Sequence, residues 1–207
     1  MKKIKNILSL LIVIIIVVNC TETKRAPINT EYIESIKKHR TETDDWMKNG
    51  EQSPFNAKGK IEFHPLKYFP IDENFALKSK LFEYDKKENH SMFGTKGEER
   101  SATRYGFFRL KKDEQEFKVN VYSNITKTGE KYYSILFTDK TTGKETYDVG
   151  RYIEFELNRN KDFIYTIDFN LAFSPYCSYS PNYSCAIPLE EDFLDLRITA
   201  GEMKFHN

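Results

Sequence analysis

Alternation of apolar and polar side chains with a period of two residues limits what this chain can fold into. Phe117, Val119 and Val121 would share one face of an extended segment, and the polar residues between them would share the other. Further strands are predicted at residues 61–64, 75–84, 133–137, 153–157, 163–169 and 194–200. Turns at Gly129 and Gly143 separate some of them. The pattern therefore predicts many short antiparallel strands.

The aromatic content supports this interpretation. Sixteen Phe and thirteen Tyr are present, and aromatic residues favour strands. No helical segment is predicted between the strands, so the chain is expected to be mainly β, as an antiparallel sandwich or a barrel-like domain. The pattern does not decide between these two architectures.

One α-helix is expected ahead of the strands, over residues 30–49, with Thr30 as the N-cap and Gly50 as the stop. Its apolar positions form only a narrow stripe, which is typical of a helix packed against a larger body. The chain has 207 residues, of which 39% are hydrophobic and 30% charged, and contains no repeat or second linker. Residues 30–207 are therefore predicted to be a single β-rich domain.

The start of the chain has the layout of a bacterial lipoprotein signal. Three lysines precede an apolar run over residues 7–18, which is short for a membrane-spanning helix, and Cys20 follows it closely. We expect residues 1–19 to be a signal peptide, Cys20 to be lipidated, and residues 20–29 to be a polar tether to a membrane. An uncleaved signal anchor is the alternative. Thr21 stands where inner-membrane lipoproteins commonly carry Asp, which favours the outer membrane.

The charge balance does not predict nucleic-acid binding. The whole chain carries 32 basic and 31 acidic residues, a net charge of +1. Without residues 1–19, which hold three lysines and no acid, 29 basic and 31 acidic residues remain, a net charge of −2. The expected partners are therefore a membrane, through the lipid, and a small polar or anionic ligand, with no nucleic acid.

Residues 170–188, called the 170–188 loop below, carry three prolines, so they cannot form a regular strand throughout. Long structured loops on β scaffolds often bear function. Cys177 and Cys185 both lie in it, and in an exported protein a disulfide between them is the first expectation. A thiol pair for redox chemistry is the open alternative. No metal is expected, because the spacing is not Cys-x-x-Cys and no histidine is near.

Three arginines are candidates for ligand binding. Arg151 begins a predicted strand, where a guanidinium could bind a carboxylate or a phosphate through two hydrogen bonds. A structural pair with Asp168 or Glu202 is the commoner outcome for such a residue. Arg100 and Arg104 follow a turn with two glycines and could line the same rim, although the spacing matches no phosphate-binding loop.

Several stretches resemble the bacterial domain-of-unknown-function family 1684. They are YFPID at 68–72, GTKGEER at 94–100, GKETY and GRY within 143–152, DFN, YC and YSC within 168–185, and AGE at 200–202. The family has no established activity, so the resemblance implies no catalytic residue. It does imply that the polar residues of these stretches converge on one face: Arg100, Arg104, Arg151, Tyr152, Asp168, Asn170, Tyr176 and Cys177.

Three functions remain as hypotheses. The first is an envelope lipoprotein that binds a small polar or anionic ligand in a pocket beneath the 170–188 loop, and the second is a structural or protein-interaction module with no ligand. The third, ranked below them, is a hydrolase or thiol-dependent enzyme that uses Cys177 or Asp168. Ser-His-Asp order, Gly-x-Ser-x-Gly and His-x-x-x-His are absent from the sequence, and no cofactor is expected.

Overall fold

The computed structural model describes residues 29–126 and 128–206. The predicted signal peptide 1–19, the predicted lipidation site Cys20 and all but the last residue of the predicted tether 20–29 lie outside the described residues.

One helix precedes a curled antiparallel sheet. The helix α1 is Thr30–Asn49. The strands are β1 Ala76–Phe93, β2 Glu99–Lys112, β3 Gln115–Ile125, β4 Lys131–Asp139, β5 Arg151–Phe155, β6 Ile164–Asp168 and the short β7 Phe193–Leu194. The order across the sheet is β5-β4-β3-β2-β1-β6, and β7 pairs with β4 in parallel. The expectation of a mainly β fold with one N-terminal helix is confirmed.

The sheet curls until its two end strands approach each other. β5 and β6 stand at opposite ends of the strand order, yet the rings of Phe155 and Tyr165 lie 5.4 Å apart. Phe108 of the central strand β2 contacts both rings, at 5.4 Å and 5.3 Å. Of the two architectures left open by the sequence, the barrel-like one is therefore the closer description, in the form of a half-barrel.

Alternation along each strand divides the side chains between two faces of the sheet. Val121, Ile135 and Ile153 point into the main core inside the curl. Their neighbours Tyr122 and Leu136 point to the opposite face, where a second apolar cluster forms with Met92 and Ala102. The sheet therefore has a filled inner face and a partly covered outer face.

A bulge explains why the sequence analysis did not predict β2. The β2–β3 register shifts between Arg104 and Gly106, so the alternation changes phase there. Tyr105 and Phe108 both face the main core although they are three positions apart, an odd spacing. At Gly106 a Cβ would lie 2.5 Å from the carbonyl oxygen of Phe82, so the close approach of β1 requires glycine.

Helix α1 has the bounds predicted from the sequence, but its N-cap is one residue earlier than expected. Asn29, not Thr30, is the N-cap, and its side chain accepts a hydrogen bond from the Tyr32 N–H at 3.1 Å. Ile36 and Met47 are buried, and the Arg40 guanidinium donates to the Phe69 carbonyl at 3.0 Å. The helix is therefore docked onto the irregular segment that leads into β1. Within the described residues, no helix has the length and apolar content needed to cross a membrane.

Two predicted strands are absent or shortened. Residues 61–64 are irregular, and their alternation reflects the packing of Phe63 against Phe55, with ring centroids 5.2 Å apart. The strand predicted at 194–200 is reduced to Phe193–Leu194. Beyond it, the carbonyls of Ile198 and Ala200 accept hydrogen bonds from the Arg151 guanidinium rather than from a neighbouring strand.

Candidate functional site

A cavity of about 620 Å³ lies on the outer face of the sheet. Its floor comes from the outward-facing residues of β2 to β5, among them Ala102, Asn124, Leu136 and Tyr152. Its roof comes from the 170–188 loop, which contributes Phe173, Pro175, Tyr176, Tyr183, Ser184, Cys185 and Ala186. The cavity is therefore separated from the main core by the thickness of the sheet.

The roof is fixed to the sheet at both of its ends. At one end, Tyr152 and Phe173 exchange two backbone hydrogen bonds, of 2.9 Å and 3.0 Å. At the other end, the Tyr152 hydroxyl donates to the Ala186 carbonyl, and the Ile187 N–H donates to the Phe93 carbonyl at 2.8 Å. Because both ends are held, the cavity is part of the folded structure and needs no ligand to form it.

A buried carboxyl supports the loop from behind. Glu202 is only 1% exposed and accepts hydrogen bonds from the Tyr179 hydroxyl, at 2.7 Å, and from the Ser174 N–H, at 3.1 Å. Burial raises the pKa of Glu202 to about 7. Its neighbour Gly201 has φ +78°, and a Cβ there would lie 2.6 Å from the Ala172 carbonyl oxygen. The AGE stretch at 200–202 therefore serves to hold the loop.

Two charged side chains line the cavity, and only one of them is paired. Arg100 donates to the Glu98 carboxylate at 2.9 Å and 2.7 Å, and to the Ser184 carbonyl at 2.9 Å. Glu154 is an exposed residue of β5 that lines the cavity, and it has no hydrogen-bond or ion-pair partner in the part of the chain that the structure describes. It keeps contact with solvent, but the surrounding protein raises its pKa by desolvation.

Tyrosines line the same cavity as this carboxylate. Tyr132 and Tyr176 line the cavity, and the pKa of each phenol is raised, first by burial and then by the negative charge of Glu154. Tyr176 also packs edge-to-face on Tyr183, with ring centroids 5.3 Å apart. The site is thus an aromatic pocket with one unpaired carboxylate.

The two cysteines lie side by side in the roof. The structure has both as free thiols, without the disulfide expected from the sequence, and the Cys177 N–H donates to Sγ of Cys185 at 3.2 Å. A hydrogen bond from the Cys185 thiol lowers the pKa of Cys177 to about 6, with help from the Tyr147 hydroxyl at 3.7 Å, and the pKa of Cys185 is raised in turn. Cys185 lines the cavity, whereas Cys177 does not.

Arg151 is not part of the cavity. Its guanidinium is buried in the core, 2.8 Å from the Asp139 carboxylate, and also donates to the carbonyls of Ile198 and Ala200. Of the two partners suggested by the sequence, Asp168 is wrong. Glu202 accepts from the guanidinium through its main-chain carbonyl, at 3.4 Å, and the ion pair is with Asp139 instead. Arg151 faces inward because it has the same orientation on β5 as the core residue Ile153.

Asp168 and Asn170 also lie away from the cavity, against helix α1. The Tyr32 hydroxyl donates to Asp168 at 2.8 Å and accepts from the Asn170 amide at 2.8 Å. The side-chain oxygen Oδ1 of Asn170 in turn accepts from the Asp72 N–H at 3.0 Å. These residues fix the helix to the end of β6.

Arg104 also does not line the cavity. It pairs with Glu191, next to a buried network in which Asp192 accepts from the Tyr122 hydroxyl at 2.9 Å and from the Asn120 amide at 2.8 Å. This network fastens the turn that precedes β7 onto β3.

The predicted convergence on one face is therefore wrong. Of the seven candidate binding residues, the cavity gathers Arg100, Tyr152 and Tyr176, and the other four serve the core or the docking of loops and helix. The sequence analysis missed Glu154, although strand alternation places it on the same face as Tyr152, two residues earlier. No group of three or more potential metal ligands occurs among the described residues.

Fold and site together define a half-barrel β protein with a loop-roofed, tyrosine-rich cavity on its outer face. The chain belongs to a family of proteins of unknown function, DUF1684, whose model matches residues 61–203. The matched region contains the cavity and excludes α1. The fold is also similar to the solution NMR structure of an uncharacterised protein from Haloarcula marismortui, with a TM-score of 0.62 and 26% identity over 84% of this chain and 95% of that one. No curated protein matches the sequence.

Proposed function

We propose that this protein is a cell-envelope lipoprotein that binds a small polar ligand in the cavity beneath the 170–188 loop. The observation that carries the proposal is the cavity itself. Its volume of about 620 Å³ falls within the range of small-molecule sites. Its lining combines aromatic rings with a few polar groups, as such sites do.

The geometry gives less support to an anionic ligand. Each arginine considered in the sequence already has a carboxylate partner: Arg100 pairs with Glu98, Arg104 with Glu191 and Arg151 with Asp139. An anion in the cavity would also lie close to the unpaired Glu154 carboxylate. The proposal therefore keeps the polar ligand and drops the anionic one.

A fragment screen by saturation-transfer-difference NMR tests this proposal on the full-length chain in an uncharged maltoside detergent. We expect polar aromatic and amine fragments to bind the wild-type chain and to lose binding in Asn124→Trp, which fills the cavity from β3. Glu116→Trp, on the same strand but outside the cavity, is the matched control and is expected to bind as the wild type does. Equal binding by all three proteins, or no binding by any, would contradict the proposal.

The envelope address is supported by residues 1–20 of the sequence. Metabolic labelling with a radioactive fatty acid tests it in a Gram-negative host. The wild-type chain is expected to incorporate the label, and Cys20→Ser is expected to lose it. A wild-type chain without label would contradict lipidation.

The structural alternative has one specific observation in its favour. Arg104, Arg151, Asp168 and Asn170 all have structural partners, as that hypothesis requires. It does not account for an open cavity with an unpaired carboxylate, and the fragment screen separates the two functions. The thiol-dependent enzyme has weaker support, because Cys177 does not line the cavity.

A further inference from the structure

The charge of the cavity can be inferred from its two ionisable walls. Arg100 is the one basic residue that lines the cavity among the described residues, and the Glu98 carboxylate neutralises it through two hydrogen bonds. Glu154 is the one acidic residue that lines the cavity among the described residues. None of the described residues forms a hydrogen bond or an ion pair with it. The uncompensated charge in the cavity is therefore negative.

The rings around Glu154 add to this preference. Tyr132 and Tyr176 line the same cavity as the carboxylate, and Ser134, two positions from Tyr132 on β4, lies opposite Glu154 in the β4–β5 register. The faces of phenol rings attract ammonium groups, and a carboxylate beside such rings strengthens the attraction. An ammonium–ring contact already exists in the loop, where Nζ of Lys58 lies 4.3 Å from the ring centroid of Tyr183.

We propose that the ligand is a small organic cation, an amine or quaternary ammonium compound, whose charged group binds between Glu154 and the tyrosine rings that line the cavity around it. This inference rests on the proposed function, since it specifies the ligand of the same cavity. Arg100 is then not the ligand's partner. Its guanidinium donates to the Ser184 carbonyl at 2.9 Å and so holds the roof in place.

Two probes of nearly equal shape test the inference. Choline carries a quaternary ammonium, and 3,3-dimethylbutan-1-ol replaces the charged nitrogen with carbon. Their affinities for the full-length chain in maltoside are measured by saturation-transfer-difference NMR titration. We expect choline to bind at least about tenfold more tightly than the neutral alcohol.

Two variants test whether the preference for choline comes from the Glu154 carboxylate. Glu154→Gln, at a site in contact with solvent, is expected to weaken choline binding by about tenfold or more and to change the affinity for the alcohol by less than about twofold. Glu156→Gln removes the same charge two residues further along, outside the cavity, and is expected to leave both affinities unchanged.

The outcomes also separate this inference from the proposed function. If fragments bind the cavity but choline binds no better than the alcohol, or if Glu154→Gln leaves choline binding unchanged, the cationic ligand is wrong and the binding function stands. If neither the probes nor any fragment binds, both are wrong.

Discussion

Nη2 of Arg151 lies 2.8 Å from Oδ2 of Asp139, and these side chains are 1% and 0% exposed. The pair joins the end of β4 to the start of β5, and the guanidinium also donates to the carbonyls of Ile198, Ala200 and Glu202. One buried guanidinium thus fixes the irregular C-terminal segment against the sheet. The residue that looked most like an anion site in the sequence is a structural centre of the fold.

Breaking this pair is expected to destabilise the protein strongly. Asp139→Asn leaves the Arg151 guanidinium buried without its counter-charge, which should lower the free energy of unfolding by about 3–5 kcal/mol. Urea denaturation measures the change. Glu114→Gln, in an exposed pair with Lys111, is the control and should cost no more than about 1 kcal/mol. Similar losses in the two variants would show that the buried pair has no special role.

The buried Glu202 predicts a pH dependence of stability. Its pKa is about 7 in the folded chain, against about 4.3 for an unfolded Glu. Because the folded state binds the proton more tightly, the contribution of this group to stability is complete below about pH 4 and is lost as the pH rises to about 7. The unfolding free energy of the wild type, relative to that of Glu202→Gln, should therefore fall by ~3 kcal/mol as the pH rises over that range. If the difference between the two proteins does not vary with pH, the pKa of Glu202 is not raised in the folded chain.

Cys177 is expected to react unusually fast once the protein is reduced. Its rate of alkylation by iodoacetamide should have a midpoint near pH 6, because the Cys185 thiol stabilises the thiolate by a hydrogen bond. Cys185→Ala removes that donor and should move the midpoint upward, toward the usual value of about 8.5. If the midpoint in the variant stays near 6, another group is responsible.

The disulfide expected from the sequence stays a prediction, and a mass measurement tests it. In protein purified without reductant from an oxidising compartment, Cys177 and Cys185 should resist alkylation. A bridge over so short a loop should add about 2–3 kcal/mol to stability. Full labelling of both cysteines would show that packing alone holds the loop.

The docking of α1 should depend on one hydroxyl. Tyr32→Phe removes the group that bonds to Asp168 and Asn170, and should cost about 1–3 kcal/mol in unfolding free energy. Tyr84→Phe serves as the control, since its hydroxyl has no hydrogen bond within the described residues. A cost below about 0.5 kcal/mol for Tyr32→Phe would mean that apolar packing alone docks the helix.

The sequence predicted those strands whose alternation keeps one phase. β3 and β4 are examples, because Val121 and Ile135 face the core while their neighbours do not. β2 escaped prediction because the bulge at Gly106 reverses the phase within one strand. The C-terminal strand was predicted too long because the Arg151 guanidinium, which no local pattern reveals, takes up the carbonyls there.

Only part of the candidate site was predicted from the sequence, because local signals identify single segments and not the contacts between distant ones. Prolines and cysteines identified the 170–188 loop, and the structure places that loop over the cavity. The ion-pair partner of Arg151 depends on how distant segments pack, so the sequence suggested Asp168 and Glu202 and did not suggest Asp139. Glu154 could have been found, because its spacing from Tyr152 places both on one face of β5.

The central claim is that the cavity beneath the 170–188 loop is a ligand site, and crystals of the full-length chain soaked with the same fragments test it most directly. We expect fragment density inside the cavity, with amine groups near the Glu154 carboxylate and rings against Tyr176. Fragments found only elsewhere on the surface, with water alone in the cavity, would contradict it.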